Sequence, residues 1–258
     1  MSDWAVILGS SSGFGAATAR ALAKKGIHIY GVHLDRRAAM EPIDKLIGEL
    51  KSEGVHVIFN NVSATDEPAR KQIVAELSGM ENIRVKILMH SLAFGALKPV
   101  IGEDLIHSLT QRQIEMTLDV MACSILYWAQ DLFYAGLLQK GSQIFGMTSS
   151  GGHRQWQSYG AVSAAKAALE SYCRQLAVEL CSHGIASNTI QAGVTNTPAL
   201  RKIPGSADMI DYAVKLNPGG RLTVPDDVAQ TIALLGLSEN SWLTGNTIRV
   251  DGGEDIMG

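Results

Sequence analysis

The feature that most constrains this chain is a short apolar run, Trp4-Ala5-Val6-Ile7-Leu8, ending in Gly9-Ser10-Ser11-Ser12-Gly13-Phe14-Gly15, after which helical periodicity begins. A β-rich run broken by closely spaced glycines and followed by a helix reads as the first strand–turn–helix of a parallel α/β unit. The rest of the chain repeats that alternation. Strands are expected at 4–8, 27–32, 55–59, 85–89, 142–147, 185–190 and 246–250. Helices are expected at 14–25, 38–53, 66–78, 111–138, 159–182 and 225–236, with a further helical piece around Ala207–Leu216. Short β-branched segments between longer helical ones specify a doubly wound, seven-stranded parallel sheet with helices on both faces.

No Pro/Ser-rich linker, charge block or internal repeat divides the 258 residues, so a single domain spanning 1–258 is expected. Its 46% hydrophobic content suffices for one full core. A net charge of −3 with only 22 Lys+Arg argues against a nucleic-acid or anionic-membrane surface and for small-molecule chemistry. The 18% charged content lies below the ~25% usual for soluble domains, as it would if subunit contacts covered part of the surface. Cys123, Cys173 and Cys181 lack metal-ligand spacing and read as reduced core or interface thiols, so no metal site is expected. No apolar stretch reaches the ~20 residues of a membrane span. The first run starts too early for a basic leader segment. A soluble, cytoplasmic protein is the expectation.

Glycines after the first strand permit a tight turn and close approach of a pyrophosphate, whose charge the free N–H groups at the helix start receive. The spacing here is GxxxGxG, not GxGxxG. It resembles the short-chain dehydrogenase/reductase family, single Rossmann-type domains of this length and order of elements. Further marks of that resemblance are Asn61-Val62 after the third strand, His90-Ser91-Leu92-Ala93 after the fourth, Thr148-Ser149-Ser150 after the fifth and Asp251-Gly252-Gly253 near the end.

Family members acting on ketones or alcohols usually carry Tyr-x3-Lys. Here Tyr159 is followed by Ser163, and the next lysine is Lys166, giving Tyr-x6-Lys. Seven residues are two helical turns, ~10.5 Å of rise, with both side chains on one face. This wider spacing resembles the enoyl-acyl-carrier-protein reductase branch, closest to the bacterial NADPH-dependent type III enzymes, in which a Ser pair also precedes the tyrosine. In enoyl reduction the hydride reaches the β-carbon, two atoms from the carbonyl carbon, and charge develops on the thioester oxygen. A donor must be placed for that oxyanion.

The resemblance implies Tyr159 as that donor, with Lys166 binding the nicotinamide ribose and favouring ionisation of the phenol. Ser149 either assists at the thioester oxygen or caps the strand end. His90 stands where enoyl reductases carry His-Ser-Ile/Leu-Ala, and Asp119 where ketoreductases carry a relay asparagine. Cofactor contacts are implied for Gly9, Ser11, Ser12, Gly13, Phe14, Gly15, Asn61, Val62, Ser91, Lys166, Gly193, Thr195 and Thr197. Val194 replaces a common proline without loss of the expected backbone contacts. Beyond the second strand, Asp35 suits a free ribose 2′-OH or a helix cap, while Arg36 and Arg37 suit a 2′-phosphate. The pair favours NADPH over NADH.

The irregular stretch 194–224 is expected to cover an acyl thioester substrate, carried by acyl-carrier protein or coenzyme A. The first expectation is therefore a trans-2-enoyl thioester reductase of fatty-acid elongation, a homotetramer or homodimer with its interface along the helices at 111–138 and 159–182. A ketone or alcohol reductase of the same fold is the alternative, and a nucleotide-binding protein without turnover the third.

Overall fold

The computed structural model describes residues 1–257. Seven strands, β1 (Ser2–Leu8), β2 (His28–His33), β3 (Val57–Asn61), β4 (Ile83–His90), β5 (Gln143–Ser149), β6 (Ala186–Ala192) and β7 (Thr247–Val250), form one parallel sheet in the order β3-β2-β1-β4-β5-β6-β7. The helices are α1 (Gly13–Ala23), α2 (Met40–Ser52), α3 (Glu67–Ser78), α4 (Gln111–Leu118), α5 (Ser124–Tyr134), α6 (Gly160–Leu180), α7 (Ser206–Leu216) and α8 (Pro225–Gly236). Chain order reverses between β1 and β4, the switch point at which open parallel sheets leave a crevice beyond their strand ends.

Strand alternation builds two cores. On β1, Ala5 and Ile7 join Leu22, Phe145 and Ile232 on one face, while Trp4, Val6 and Leu8 join Leu88, Trp128 and Leu169 on the other. Side chains buried on both faces explain why the central strands read as continuous apolar runs. β7 is an edge strand, and its Thr247 and Arg249 are exposed.

Two expectations change. The helix expected over 111–138 is interrupted by a π-helical segment, Asp119–Cys123, where the Ser124 hydroxyl donates to the Val120 carbonyl at 2.8 Å. The small residues of α6 expected at a subunit interface mostly face the chain's own core. Ala161, Ala165 and Cys173 are buried, and Ala164 is exposed. α6 packs closely on β6 and β5 through its buried face, and Ala164, Ala167 and Val178 line its exposed face. Among the described residues no helix is long and apolar enough to cross a membrane.

Candidate active site

The switch point brings the glycine loop against the end of β4. Leu8 pairs with Val32 and His90, Ser91 N–H donates to the Leu8 carbonyl at 2.8 Å, and Gly9 N–H donates to Val32 at 2.8 Å. Gly9 has φ +88°, and a Cβ there would lie 2.3 Å from the Ser91 carbonyl oxygen. A Cβ on Gly15 would lie 2.1 Å from the Gly9 oxygen. Only glycine fits at either place. Ser12 is exposed at the start of α1 and makes no side-chain cap bond. The first-turn N–H groups of Gly13, Phe14 and Gly15 are thus available for a ligand, and the cradle fits the pyrophosphate of a dinucleotide.

Beyond the strand ends lies a cavity of about 560 Å³. Phe14, Ser91, Ser149, Tyr159, Lys166, Gly193, Thr195 and Thr197 all border it. Residues expected to do chemistry thus come from four separate connections, after β1, β4, β5 and β6. The segment 194–224 supplies much of the remaining wall through Leu200, Ile203, Met209, Tyr212 and Leu216. Leu92, Leu97 and Met121 add to an apolar lining.

Tyr159 is the residue immediately before α6, not its first helical residue, and it follows Ser158, whose φ of +61° is rare for a side-chain-bearing residue. That turn sets the entry of the tyrosine into the cavity. Burial pushes the phenol pKa up, and a hydrogen bond with the Ser149 hydroxyl pulls it back. The net shift is upward, so Tyr159 is a protonated donor at neutral pH. No contribution from Lys166 enters the shift of this phenol. Lys166 donates to the Met147 carbonyl at 2.7 Å, its charge acts on His90, and the Glu170 carboxylate acts on it.

Lys166 is buried, and desolvation lowers its pKa to about 8 against the opposing Glu170 charge. Glu170, four residues on along α6, also accepts from the Thr148 hydroxyl at 2.6 Å. His90 is fully buried and pushed down to about 3 by burial, with the Lys166 charge adding to the effect. Because Ser124 donates its hydroxyl to Val120, its oxygen accepts from His90 Nε2 at 2.8 Å. His90 Nδ1 is left buried without a protein partner. Neutral His90 is no proton donor to substrate. Asp119 is turned away, accepting from the Tyr127 hydroxyl at 2.8 Å, and does not border the cavity.

Arg36, Arg37, Asn61 and Val62 lie at the ends of β2 and β3, outside the cavity lining. Asn61 holds the turn after β2 by exchanging two 2.9 Å bonds with the Asp35 backbone. The Asp35 carboxylate takes His33 Nδ1 at 3.0 Å and caps no helix. Arg36 and Arg37 are exposed and, among the described residues, form no ion pair. Val62 packs its side chain against the core.

Two residues that the sequence reading did not single out also border the cavity. Glu254 and Asp255 belong to the 3₁₀ turn Glu254–Ile256 that follows Asp251-Gly252-Gly253. The acidic run after the last strand was the available signal, but nothing in it names partners 60 to 100 residues away.

The sequence profile of the family described as enoyl-(acyl carrier protein) reductase matches residues 9–254. An NADH enoyl-acyl-carrier-protein reductase of Nostoc sp. is 33% identical over 68% of this chain and 66% of its own length. A 2,3-dihydro-2,3-dihydroxybenzoate dehydrogenase of Bacillus subtilis is 26% identical over 98% of this chain and 95% of its own. Among solved structures, an NADH enoyl-acyl-carrier-protein reductase of Aquifex aeolicus superposes with a TM-score of 0.84 at 22% identity, covering 99% of this chain and 97% of that one.

Proposed function

The chain belongs to the enoyl-(acyl carrier protein) reductase family of short-chain dehydrogenases/reductases, and from that premise we propose that it reduces the carbon–carbon double bond of a trans-2-enoyl thioester with NADPH. The observation that carries this reading is Tyr159, a protonated phenol bordering a largely apolar cavity seven residues ahead of a buried lysine. A bound nicotinamide supplies the hydride that adds to the β-carbon. Tyr159 donates a hydrogen bond to the thioester oxygen as it takes up enolate charge, where a fixed donor in a water-poor site is most effective. The α-carbon then takes a proton from solvent water, and the enolate charge on the oxygen collapses back to the thioester carbonyl while Tyr159 keeps its own proton.

Lys166 spends one proton on Met147 and has others for ribose hydroxyls. The cradle of Gly9, Gly13 and Gly15 takes the pyrophosphate, flanked by Ser11, Ser12, Phe14, Ser91 and the Gly193–Thr197 turn. Arg36 and Arg37 support NADPH, because neither is engaged while Asp35 already pairs with His33. The segment 194–224 covers the acyl chain. The carrier is an acyl-carrier protein or coenzyme A, and the copies assemble as a homo-oligomer.

The Ser149 hydroxyl that lowers the Tyr159 pKa also suits a carbonyl acid, and it keeps ketone or alcohol reduction as the second reading. Purified protein assayed with crotonyl and acetoacetyl thioesters, against NADPH and NADH separately, distinguishes the two. Cofactor oxidation with the acetoacetyl substrate alone would sink the enoyl reading. Tyr159→Phe is expected to lower turnover on the order of 10²-fold with nucleotide affinity nearly intact. Replacing both Arg36 and Arg37 by alanine should weaken NADPH binding roughly tenfold or more and leave NADH binding unchanged.

A further inference from the structure

The turn after β6 is held from beneath by the C-terminal tail. Val194 N–H donates to both carboxylate oxygens of Glu254, at 3.1 Å each. Glu254 is buried, at 7% exposure, and it lies under Gly193, where a Cβ would come within 3.0 Å of Glu254 Oε2 and 2.4 Å of Thr223 Oγ1. Asp251 braces the tail that delivers it. Its carboxylate accepts from Gly253 N–H at 2.9 Å and Asp255 N–H at 3.1 Å, and Asn217 Nδ2 donates to its carbonyl at 2.7 Å.

From Val194 the turn runs toward the glycine loop. Thr195 Oγ1 donates to the Gly193 carbonyl at 3.0 Å, Thr197 N–H to Thr195 at 2.7 Å, and the Thr197 methyl lies 3.7 Å from a Cβ position on Gly13. Both threonine positions border the cavity. Glu254 differs from its neighbour Asp255 in what it binds. Asp255 pairs with His153, Arg154 and Arg249, whereas Glu254 forms no ion pair among the described residues and is committed to a backbone donor. A carboxylate removed from water without a cation is costly, and here its return is the fixed position of one N–H.

We propose that Glu254 is a positioning residue that fixes the Gly193–Thr197 turn, so that Thr195 and Thr197 present their backbone and hydroxyl groups to the nicotinamide end of the cofactor. The second half rests on the function proposed above; the first concerns the free protein alone. Burial, with the Asp251 and Asp255 charges adding to it, raises the Glu254 carboxyl pKa on balance, against the opposing bonds from Val194 and Asn217.

The test compares wild type, Glu254→Ala and Glu254→Gln by amide hydrogen exchange without nucleotide, by NADPH and NADH dissociation constants, and by thermal midpoint. In Glu254→Ala the Val194 N–H loses its acceptor, and exchange across 193–197 should quicken roughly tenfold or more while distant core amides are unchanged. Nucleotide affinity should fall by a similar factor. Glu254→Gln keeps an acceptor of the same length and should recover most of the protection and affinity. Unchanged exchange at 193–197 in Glu254→Ala would overturn the proposal, as would loss of protection spread evenly over the core. If Glu254→Ala does not fold, Glu254→Asp takes its place. The acceptor withdrawn by one methylene should give faster exchange at the same segment, and wild-type exchange would overturn the proposal. A wild type that binds neither nucleotide, with the exchange pattern as expected, would reject the proposed function and leave the role of Glu254 in the turn standing.

Discussion

Two buried bases, His90 at the end of β4 and Lys166 on α6, sit close enough for the Lys166 charge to act on His90, and neither keeps its ordinary pKa. Lys166, at about 8, is a cation below that pH and neutral above it, while an unfolded chain holds the same proton to about 10.4. Two consequences of opposite sign follow. Between pH 8 and 10.4 the unfolded state binds more protons, so folding stability should rise with pH through that window. Binding that depends on the cation should weaken over the same interval. Denaturant midpoints and NADPH affinity measured from pH 7 to 10.5 for wild type and Lys166→Met check both, and parallel curves for the two proteins would contradict them. At this scale the sequence was informative where chemistry depends on spacing. The seven-residue step from Tyr159 to Lys166 and the glycines of the first loop could be read directly. Protonation states were not, because burial of the phenol and the Ser149 bond are products of the fold.

The elements that shape the site are joined at one short turn. Glu254 secures the connection after β6, and Asp255 secures the connection after β5. His153 Nε2 approaches Asp255 at 3.0 Å, Arg154 Nε at 2.9 Å, and Arg154 Nη2 donates to the Asp255 backbone carbonyl at 2.7 Å. Gln191 of β6 and Arg249 of β7 reach the same carboxylate at 2.9 and 3.2 Å. Burial opposes ionisation of Asp255, but the bonds from Gln191 and His153 and the nearby charges hold its carboxyl below the ordinary range. Asp255→Ala should therefore free the segment 150–158, with its left-handed Ser158, and let Tyr159 wander. Turnover should fall about tenfold while nucleotide affinity changes little, the reverse of the pattern for Glu254→Ala. Steady-state rates alongside equilibrium titrations would reveal the split, and an equal loss in both would refute the division of labour. Neither contact was legible in advance. His153 and Asp255 are 102 residues apart, and a charged residue in a tail reads by default as solvated. The π-helical break at Asp119–Cys123 was hidden for a related reason, since the Ser124 hydroxyl that accompanies it looks like any helical serine.

At the scale of the molecule, the alternation of apolar runs and helical periods was enough to specify seven parallel strands, because each strand needs both faces covered and each helix must return to the same edge. It carried no information about which surface meets another copy. Of the small residues of α6 at the expected interface, Ala161, Ala165 and Cys173 turn to the core, while Ala164 stays exposed. Exposed apolar side chains include Leu234 on α8 at 76%, Trp242 at 86% and Leu243 at 41% before β7, and Ile256 in the C-terminal turn at 70%, besides Ile101, Leu105 and Ile106 in the connection after β4. An indole left this open to water is unfavourable for a lone chain, and aromatic residues of this kind anchor interfaces. A stable contact between copies needs roughly 800 Å² per partner. The group formed by α8, the approach to β7 and the tail is the expected place, and it would also account for the low charge content. Light scattering at micromolar concentration should report an oligomer for the wild type and a smaller species for Leu234→Lys combined with Trp242→Asp. A monomeric wild type would reject assembly outright, and an unchanged mass in the double variant would move the interface to another face. Ile256 follows Asp255 directly, so dissociation should also loosen the turn that holds both active-site connections. Loss of oligomer in the double variant is then expected to lower turnover without altering any residue that borders the cavity, and full activity in the dissociated protein would separate assembly from the site.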